Sequence, residues 1–368
     1  MIYFLSGFAA FLLSVFLTFL VRKYSLAKNI VDAPAQAPQR KIHDKPIPLL
    51  GGWAIFLSFI IIAWIIALFS NRLFGGFFLP KYLIGITLAG LVLMIGGYLD
   101  DKYHLKAKKQ IWFPILSALI IIAFGIGIPY ITNPLGGILD LNTISWTIFS
   151  IHTLPFKIVL FADVFAFLWL IAATYTTKIL DGLDGLVSGI TAIGAVIIAF
   201  LSLSKEVTQP ETVILAVILA GCCCGFLIWN WHPAKIFLGE AGSTWTGFML
   251  GTLAIIAGGK IATALLILGI PALDILWAIG RRVIARKSAF VSDRGHLHFR
   301  LLDAGLSHRQ AVLLLYTITA VFGSVTLVTK GQQKLYALIF LGAVMLILVL
   351  AVALAYRYQV KLKKRPIN

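Results

Sequence analysis

Apolar runs of about 18 residues or more recur along this 368-residue chain, and they constrain its fold more than any other feature. Each run can cross ~30 Å of hydrocarbon as a helix rising 1.5 Å per residue. The chain is therefore read as an all-α polytopic integral membrane protein. Composition agrees: 60% of residues are hydrophobic and 12% charged, against about 25% charged in an ordinary soluble domain. A secreted domain, a disordered chain and a nucleic-acid binder are excluded. The net charge of +17 is read as a signal of loop orientation. The cysteine run Cys222 to Cys224 sits inside an apolar segment without metal-type spacing and is assigned to packing.

The hydropathy pattern places eleven spans, at 3–21, 49–70, 82–99, 111–129, 160–178, 185–203, 211–229, 243–259, 261–279, 311–329 and 335–356. An odd number puts the termini on opposite sides. Strict alternation gathers 24 of the 31 Lys and Arg residues on one side, in loops 22–48, 99–110, 178–184, 230–242 and 280–310 and in the tail 357–368. That side is assigned to the cytoplasm, which predicts an N-terminus outside, a cytoplasmic C-terminus and a single transmembrane domain over 1–368. The first span lacks a preceding positive residue and is followed by Arg22 and Lys23, the reverse of a signal peptide, so it is expected to stay uncleaved. On the outer face, segment 131–159 partly alternates apolar and polar residues after a turn-like Asn133-Pro134-Leu135-Gly136-Gly137, which predicts a short β-hairpin.

The functional signal lies in the carboxylates. There are fourteen, and five occupy short glycine-marked turns at cytoplasmic helix ends: Gly96-Gly97-Tyr98-Leu99-Asp100-Asp101, Leu180-Asp181-Gly182-Leu183-Asp184-Gly185-Leu186 and Phe237-Leu238-Gly239-Glu240-Ala241-Gly242-Ser243. Asp-Gly pairs are turn formers in their own right. Three such turns on one face of an acid-poor chain favour a site, because unpaired carboxylates gathered together repel one another without a cation. Asp181 and Asp184, three apart, can share a helix face. With Glu240 and the Asp100–Asp101 pair they form a hard oxygen donor set of the kind that suits Mg²⁺.

Groups that suit a phosphate lie nearby. Lys178 stands one turn before Asp181, Lys102, Lys106, Lys108 and Lys109 follow the Asp pair, and Arg281, Arg282, Arg286, Lys287, Arg294 and Arg300 crowd the loop 280–310. Part of this charge is assigned to orientation and to anionic head groups. The helix expected after Gly239 and Gly242 offers free N–H groups to an anion. His296 and His298 are assigned to phosphate hydrogen bonding, since neither Cys nor an HExxH pattern accompanies them. Asp274, near the end of the ninth span, is assigned to a helix-packing hydrogen bond.

These motifs, in this order, resemble a known family. LDD at 99–101, DGLDGL at 181–186, N-x-x-P-A-K-I-F-x-G-E-x-G-S at 230–243 and DRGHLHFRLLDAGLSHRQA at 293–311 follow VDAP…RKIHDKPIPLLGG at 31–52. The set is similar to the polyprenyl-phosphate N-acetylhexosamine-1-phosphate transferases. Within them it resembles the undecaprenyl-phosphate N-acetylglucosamine-1-phosphate transferase branch more than the related phospho-MurNAc-pentapeptide translocases, which carry three consecutive histidines where this chain has His296-Leu297-His298. The resemblance implies attack by a polyprenyl phosphate on a UDP-N-acetylhexosamine, giving polyprenyl-diphospho-sugar and UMP with Mg²⁺, or Mn²⁺ in its place. It places the enzyme in the plasma membrane, with its active site on the cytoplasmic face, in cell-envelope polysaccharide synthesis, and a homodimer is allowed.

By the motif match Asp100 is the base, Asp101 supports the metal or its cationic neighbours, and Asp181 and Asp184 line the nucleotide and metal pocket. Glu240 is the most direct metal ligand, with Asp101 and Asp184 beside it. Phe237 stacks on uracil, Asn230 hydrogen-bonds the nucleotide, and His296 and His298 meet the diphosphate or sugar. Lys178, Lys109 and Arg294 are the cations expected on the substrate. The chain departs from the family pattern at four places: Lys178 and Tyr175 stand where Asn is usual, Glu240 where Asp is usual, and Phe299 where a further His is frequent.

The alternatives are the pentapeptide translocase reaction, another UDP-sugar phosphotransferase, an inactive membrane scaffold and a transporter. A CDP-alcohol phosphotransferase would need a DG-x-x-A-R pattern that Asp181-Gly182-Leu183-Asp184 does not continue, and a transporter would need ionisable groups near the midplane rather than at one face.

Overall fold

The computed structural model describes residues 1–33, 45–74, 76–132, 137–151, 154–204, 207–258, 261–284, 296–329 and 331–363. Helix α1 (Ile2–Ala27) leads through strands β1 (Val31–Asp32) and β2 (Ile47–Pro48) to α2 (Gly51–Phe69) and α3 (Pro80–Tyr103). A short α4 (Ala107–Gln110) and α5 (Trp112–Ala123) follow. Next come strands β3 (Tyr130–Thr132), β4 (Ile138–Asp140), β5 (Ser145–Ile151) and β6 (Leu154–Val159). The remainder is helical: α6 (Leu160–Leu180), α7 (Leu186–Leu203), α8 (Pro210–Asn230), α9 (Gly239–Ile256), α10 (Ile261–Ile267), α11 (Gly269–Ile284), α12 (Leu297–Asp303), α13 (His308–Val328) and α14 (Gln332–Lys363).

Local chemistry sets several of these boundaries. Pro80 and Pro210 open α3 and α8, where a missing N–H costs nothing. The Ser307 hydroxyl caps Gln310 N–H while the Gln310 side chain returns to Ser307 N–H, a capping box that starts α13.

The chain is a multi-pass helical membrane protein. Helices α1, α2, α3, α6, α7, α8, α13 and α14 are long and apolar enough to cross a membrane, and the pair Ile261–Ile267 and Pro271–Gly280, bent by 78°, makes a ninth span if counted as one. Two of the eleven expected spans, 111–129 and 243–259, do not meet that test. Helix α5 has 12 residues, about 18 Å at 1.5 Å per residue. Helix α9 is rich in Gly, Ser and Thr and is buried along nearly its whole length, so protein rather than lipid surrounds it.

The expected outer hairpin at 131–159 is two hairpins. Strand β3 pairs antiparallel with β4, Ile131 opposite Leu139, and β5 pairs with β6, Trp146 opposite Ile158. The β1–β2 pair, Val31 opposite Pro48, was not anticipated. Both strands are two residues long, too short to show an alternation in sequence. Cys222 and Cys223 are buried packing residues as expected, while Cys224 is exposed.

Helix α9 is the hub, packed by α2, α3 and α6. Its small residues let neighbouring backbones come close, as is usual between membrane helices. A Cβ on Gly52 would lie 2.1 Å from Gly242 Cα, and one on Gly97 would lie 2.2 Å from Ala241 Cα. A Cβ on Gly247 would reach to 2.0 Å from Thr177 Oγ1. These contacts hold the start of α2, the end of α3 and the end of α6 against the start of α9. The β5–β6 hairpin runs directly into the opposite end of α6.

Candidate active site

The C-terminal ends of α3, α6 and α8 and the N-terminal ends of α2, α9 and α13 surround one cavity of about 920 Å³. Its wall includes Asp32, Asp100, Asp101, Asp181, Asp184 and Glu240 together with Arg22, Lys45, Lys178 and Lys235. All five carboxylates of the three glycine-marked turns therefore face one space, although 139 residues separate Asp101 from Glu240 in the chain.

Asp101 and Glu240 are tied directly. Asp101 Oδ1 accepts from Glu240 N–H at 3.0 Å, while Asp101 Oδ2 is buried without a hydrogen-bond partner. This uses one of the α9 N–H groups that the sequence offered to an anion. Gly239, at φ +73°, makes the contact possible: a Cβ there would lie 2.5 Å from Asp101 Oδ2, and the backbone conformation itself is one that favours glycine. On the other side of the same turn, Gly51 N–H and Gly52 N–H donate to Phe237 O and Leu238 O at 3.0 and 2.8 Å, and Phe237 N–H donates to Pro48 O at 2.8 Å. The Phe237 ring is thus carried on a backbone fixed at both ends, at the cavity wall.

Lys178 links two of the acidic turns. Its Nζ donates to Glu240 Oε1 at 2.5 Å and to Gln110 Oε1 at 3.0 Å, and lies 5.5 Å from the Tyr175 ring centroid. Gln110 in turn donates to Asp100 Oδ1 at 2.7 Å, and Leu105 N–H donates to the same oxygen at 2.7 Å. The result is a continuous chain Glu240–Lys178–Gln110–Asp100. Gln110 has no motif around it, which is why sequence reasoning passed over it.

Asp184 Oδ2 meets His232 Nδ1 at 2.7 Å and accepts from Ala234 N–H at 3.1 Å. The His232 ring stacks on His308 with centroids 4.0 Å apart, and both His308 ring nitrogens are buried without a hydrogen-bond partner. One donor atom from each of Asp184, His232 and His308 lies within 4.8 Å of the others, the one such group found among the described residues. His232 lies in Asn230-Trp231-His232-Pro233 and His308 in Ser307-His308-Arg309-Gln310, and no spacing in the sequence links the two. Two imidazoles and one carboxylate suit transition metals better than Mg²⁺.

Asp181 ends α6 with its side chain open to the cavity. Burial among the surrounding walls is the first cause that raises its carboxyl, to about 7, and the charges of Glu240 and Asp184 add to it. Asn230 is buried and fully engaged: its Oδ1 accepts from Gly185 N–H at 3.0 Å and from Ser188 Oγ at 3.3 Å, and its Nδ2 donates to Ile236 O at 3.0 Å. The amide expected on the nucleotide thus clamps the DGLDGL turn to the segment before Glu240.

The remaining expected site residues stand further off. Lys109 is exposed on α4 and is not part of the cavity wall. His296 Nδ1 pairs with Asp274 Oδ2 at 2.9 Å, and Asp274 Oδ1 accepts from Leu297 N–H at 2.8 Å, the packing role assigned to Asp274. His298 is buried behind the wall, with Nε2 unpartnered and 2.2 Å from where a Gly182 Cβ would stand. Burial lowers its imidazole to about 4, with Asp274 opposing and His296 adding to the shift. Phe299, rather than either histidine, lines the cavity. Arg294 lies outside the described residues.

Residues 83–258 match the model of glycosyl transferase family 4. The chain is 31% identical over 376 aligned positions to the decaprenyl-phosphate N-acetylglucosaminephosphotransferase of Mycobacterium leprae, covering 93% of this chain and 87% of that protein. The chain belongs to glycosyl transferase family 4. It is also 30% identical to the "Probable undecaprenyl-phosphate N-acetylglucosaminyl 1-phosphate transferase" of Bacillus subtilis, over 88% of this chain and 84% of that one. A phospho-N-acetylmuramoyl-pentapeptide-transferase of Prochlorococcus marinus is 29% identical over 79% of this chain and 80% of its own. The family match contains all three acidic turns, Lys178 and His232, and excludes His298 and His308.

Glu240, the expected metal ligand of the family site, is engaged by an ammonium. A divalent ion on Oε1 of that carboxylate would stand within about 5 Å of Lys178 Nζ, given a metal–oxygen bond of ~2.1 Å. While Lys178 holds this position, Glu240 Oε1 is occupied by the ammonium.

Proposed function

We propose that this protein transfers N-acetylglucosamine 1-phosphate from UDP-N-acetylglucosamine to a polyprenyl phosphate, with the active site at the cytoplasmic face of the plasma membrane. The observation that carries the reading is the convergence of the three acidic turns and Lys178 on one cavity at the helix ends, in a chain whose relatives are named for this transfer.

An oxygen of the lipid phosphate attacks the β-phosphorus. The bond between that phosphorus and the bridging oxygen breaks, UMP leaves with the bridging oxygen, and the sugar stays on the β-phosphate now joined to the lipid. Such a step needs alignment and charge stabilisation more than a covalent intermediate. Lys178 supplies positive charge at the cavity wall, beside the carboxylates that a diphosphate must pass. Asp100, oriented by Leu105 N–H and Gln110, receives or orients the residual proton of the lipid phosphate. Phe237 offers a ring face to the uracil.

The test is release of UMP by the purified protein given undecaprenyl phosphate and a panel of UDP-sugars, each with and without Mg²⁺, with Asp100→Asn as control. Release with UDP-N-acetylglucosamine that falls at least 100-fold in the control is expected. No release from any UDP-sugar by folded protein would overturn the proposal, and release with UDP-MurNAc-pentapeptide alone would move it to the translocase reaction.

A further inference from the structure

We infer that the Lys178 ammonium takes the place of a divalent cation at Glu240 and is the built-in positive charge for a diphosphate bound in this cavity. The inference rests on the transferase reading for what the charge acts on, and on the geometry of this chain for the charge itself.

Two of the positions at which the chain departs from its family pattern, Lys178 and Glu240, are partners. They are 62 residues apart, on different helices, and their side chains meet at 2.5 Å, with side-chain exposures of 22% and 19%. A Lys where an amide is usual and a Glu one methylene longer than the usual Asp make a complementary pair, in which the longer carboxylate reaches the ammonium. An ammonium has three donors. One goes to Glu240 Oε1, one to Gln110 Oε1, and the Tyr175 ring lies at cation–π distance. Tyr175 is itself a third departure from the pattern.

This arrangement is fixed from behind. Gly247 of α9 lies against Thr177, the residue before Lys178, so α6 cannot slide away from α9 without opening the hub. A divalent ion bound to Glu240 would need Lys178 to leave all three partners, or would share the carboxylate with a like charge about 5 Å away. The ammonium still borders the cavity, where a diphosphate oxygen can meet its remaining donor. A lysine delivers one charge from a fixed stem, whereas a metal delivers two and orients several ligands. The chain therefore has less charge on the diphosphate at this point, with no need to recruit it from solution.

The experiment measures binding separately from turnover. Full-length protein in detergent is titrated with Mg²⁺ and with Mn²⁺, following heat of binding and unfolding temperature, for the wild type, Glu240→Gln, Lys178→Met and the double variant Lys178→Asn with Glu240→Asp. The expected result is that Glu240→Gln changes cation affinity less than twofold, while the double variant gains a saturable cation site at least tenfold tighter than any in the wild type. Should the double variant fail to fold, Lys178→Met carries the test: its UMP release in the absence of added divalent cation is expected to fall at least 100-fold. Cation binding by the wild type that Glu240→Gln abolishes and Lys178→Met retains would overturn the inference, as would full activity of Lys178→Met without added divalent cation. Because binding requires no donor sugar, a protein that shows the expected cation behaviour and releases no UMP would sink the transferase reading and leave the charge replacement standing.

Discussion

Asn230→Ala tests whether the site is held by a clamp or by ligand contacts. The substitution removes the hydrogen bonds from Gly185 N–H and Ser188 Oγ to Asn230 Oδ1 and the one from Asn230 Nδ2 to Ile236 O. Ser188 keeps its bond to Gly185 O at 3.1 Å, so the cost falls on two backbone groups, Gly185 N–H and Ile236 C=O. A buried group that loses its partner costs ~1–3 kcal/mol, which gives about 2–6 kcal/mol for the pair. At roughly 2 °C per kcal/mol for a chain of this size, the unfolding temperature should drop by about 4–12 °C. Asn230→Asp would set a second acceptor against Ile236 O and bury a carboxyl group, so it should lose at least as much. The assay is thermal unfolding of the purified protein followed by tryptophan fluorescence, beside the KM for the donor sugar. If Asn230→Ala unfolds within 1 °C of the wild type while KM rises more than tenfold, Asn230 is a nucleotide contact and the clamp argument fails.

Gly97→Val should lower the unfolding temperature by several degrees and activity with it, since its side chain would meet Ala241 backbone at 2.2 Å and overpacking costs ~1–3 kcal/mol or more. Gly342→Ala, with nothing within 4 Å of the added carbon, is the control, and equal losses in both variants would refute the close-packing account. Protonation of His298 should destabilise the fold: its imidazole titrates at about 4 when folded and at ~6.5 when unfolded, so the unfolded chain takes up the proton first and stability falls as pH drops from 6.5 towards 4, by about 3 kcal/mol in all. Unfolding temperatures between pH 7.5 and 4.5 should show that slope in the wild type and lose it in His298→Phe; an identical slope in both would place the effect elsewhere. Gln110→Ala should reduce kcat about tenfold with little change in KM, because it releases Asp100 and one contact of Lys178 while leaving the charged groups themselves in place; unchanged kcat would show that the chain from Glu240 to Asp100 is not used.

Much of the site was legible because its chemistry is written in short runs. Asp100 and Asp101, Asp181 and Asp184, and Phe237 to Ser243 each fall in one turn between helices, where glycine spacing and the end of an apolar run mark them. Gln110, His232 and His308 were missed or left unassigned because each sits outside such a turn pattern, and each acquires a role only from a residue at least 10 positions away, Asp100 or Asp184. Hydropathy and burial part company at α9: its position in the chain reads as a membrane span, while its small and hydroxylated residues are surrounded by protein.

The sequence by itself determined that this is a helical membrane protein, because a run of about 18 apolar residues is stable across a bilayer whatever its neighbours are. It also determined which residue types carry the chemistry, since carboxylates in an acid-poor chain are costly to keep without use. Only the tertiary structure decided which of them meet. Contacts such as Lys178 with Glu240 and Asp101 with Glu240 N–H depend on the closeness of α3 and α6 to α9, which glycines 97, 239 and 247 permit. Sequence spacing along one helix does not encode the distance between two, and that distance is what brings Glu240 to Lys178.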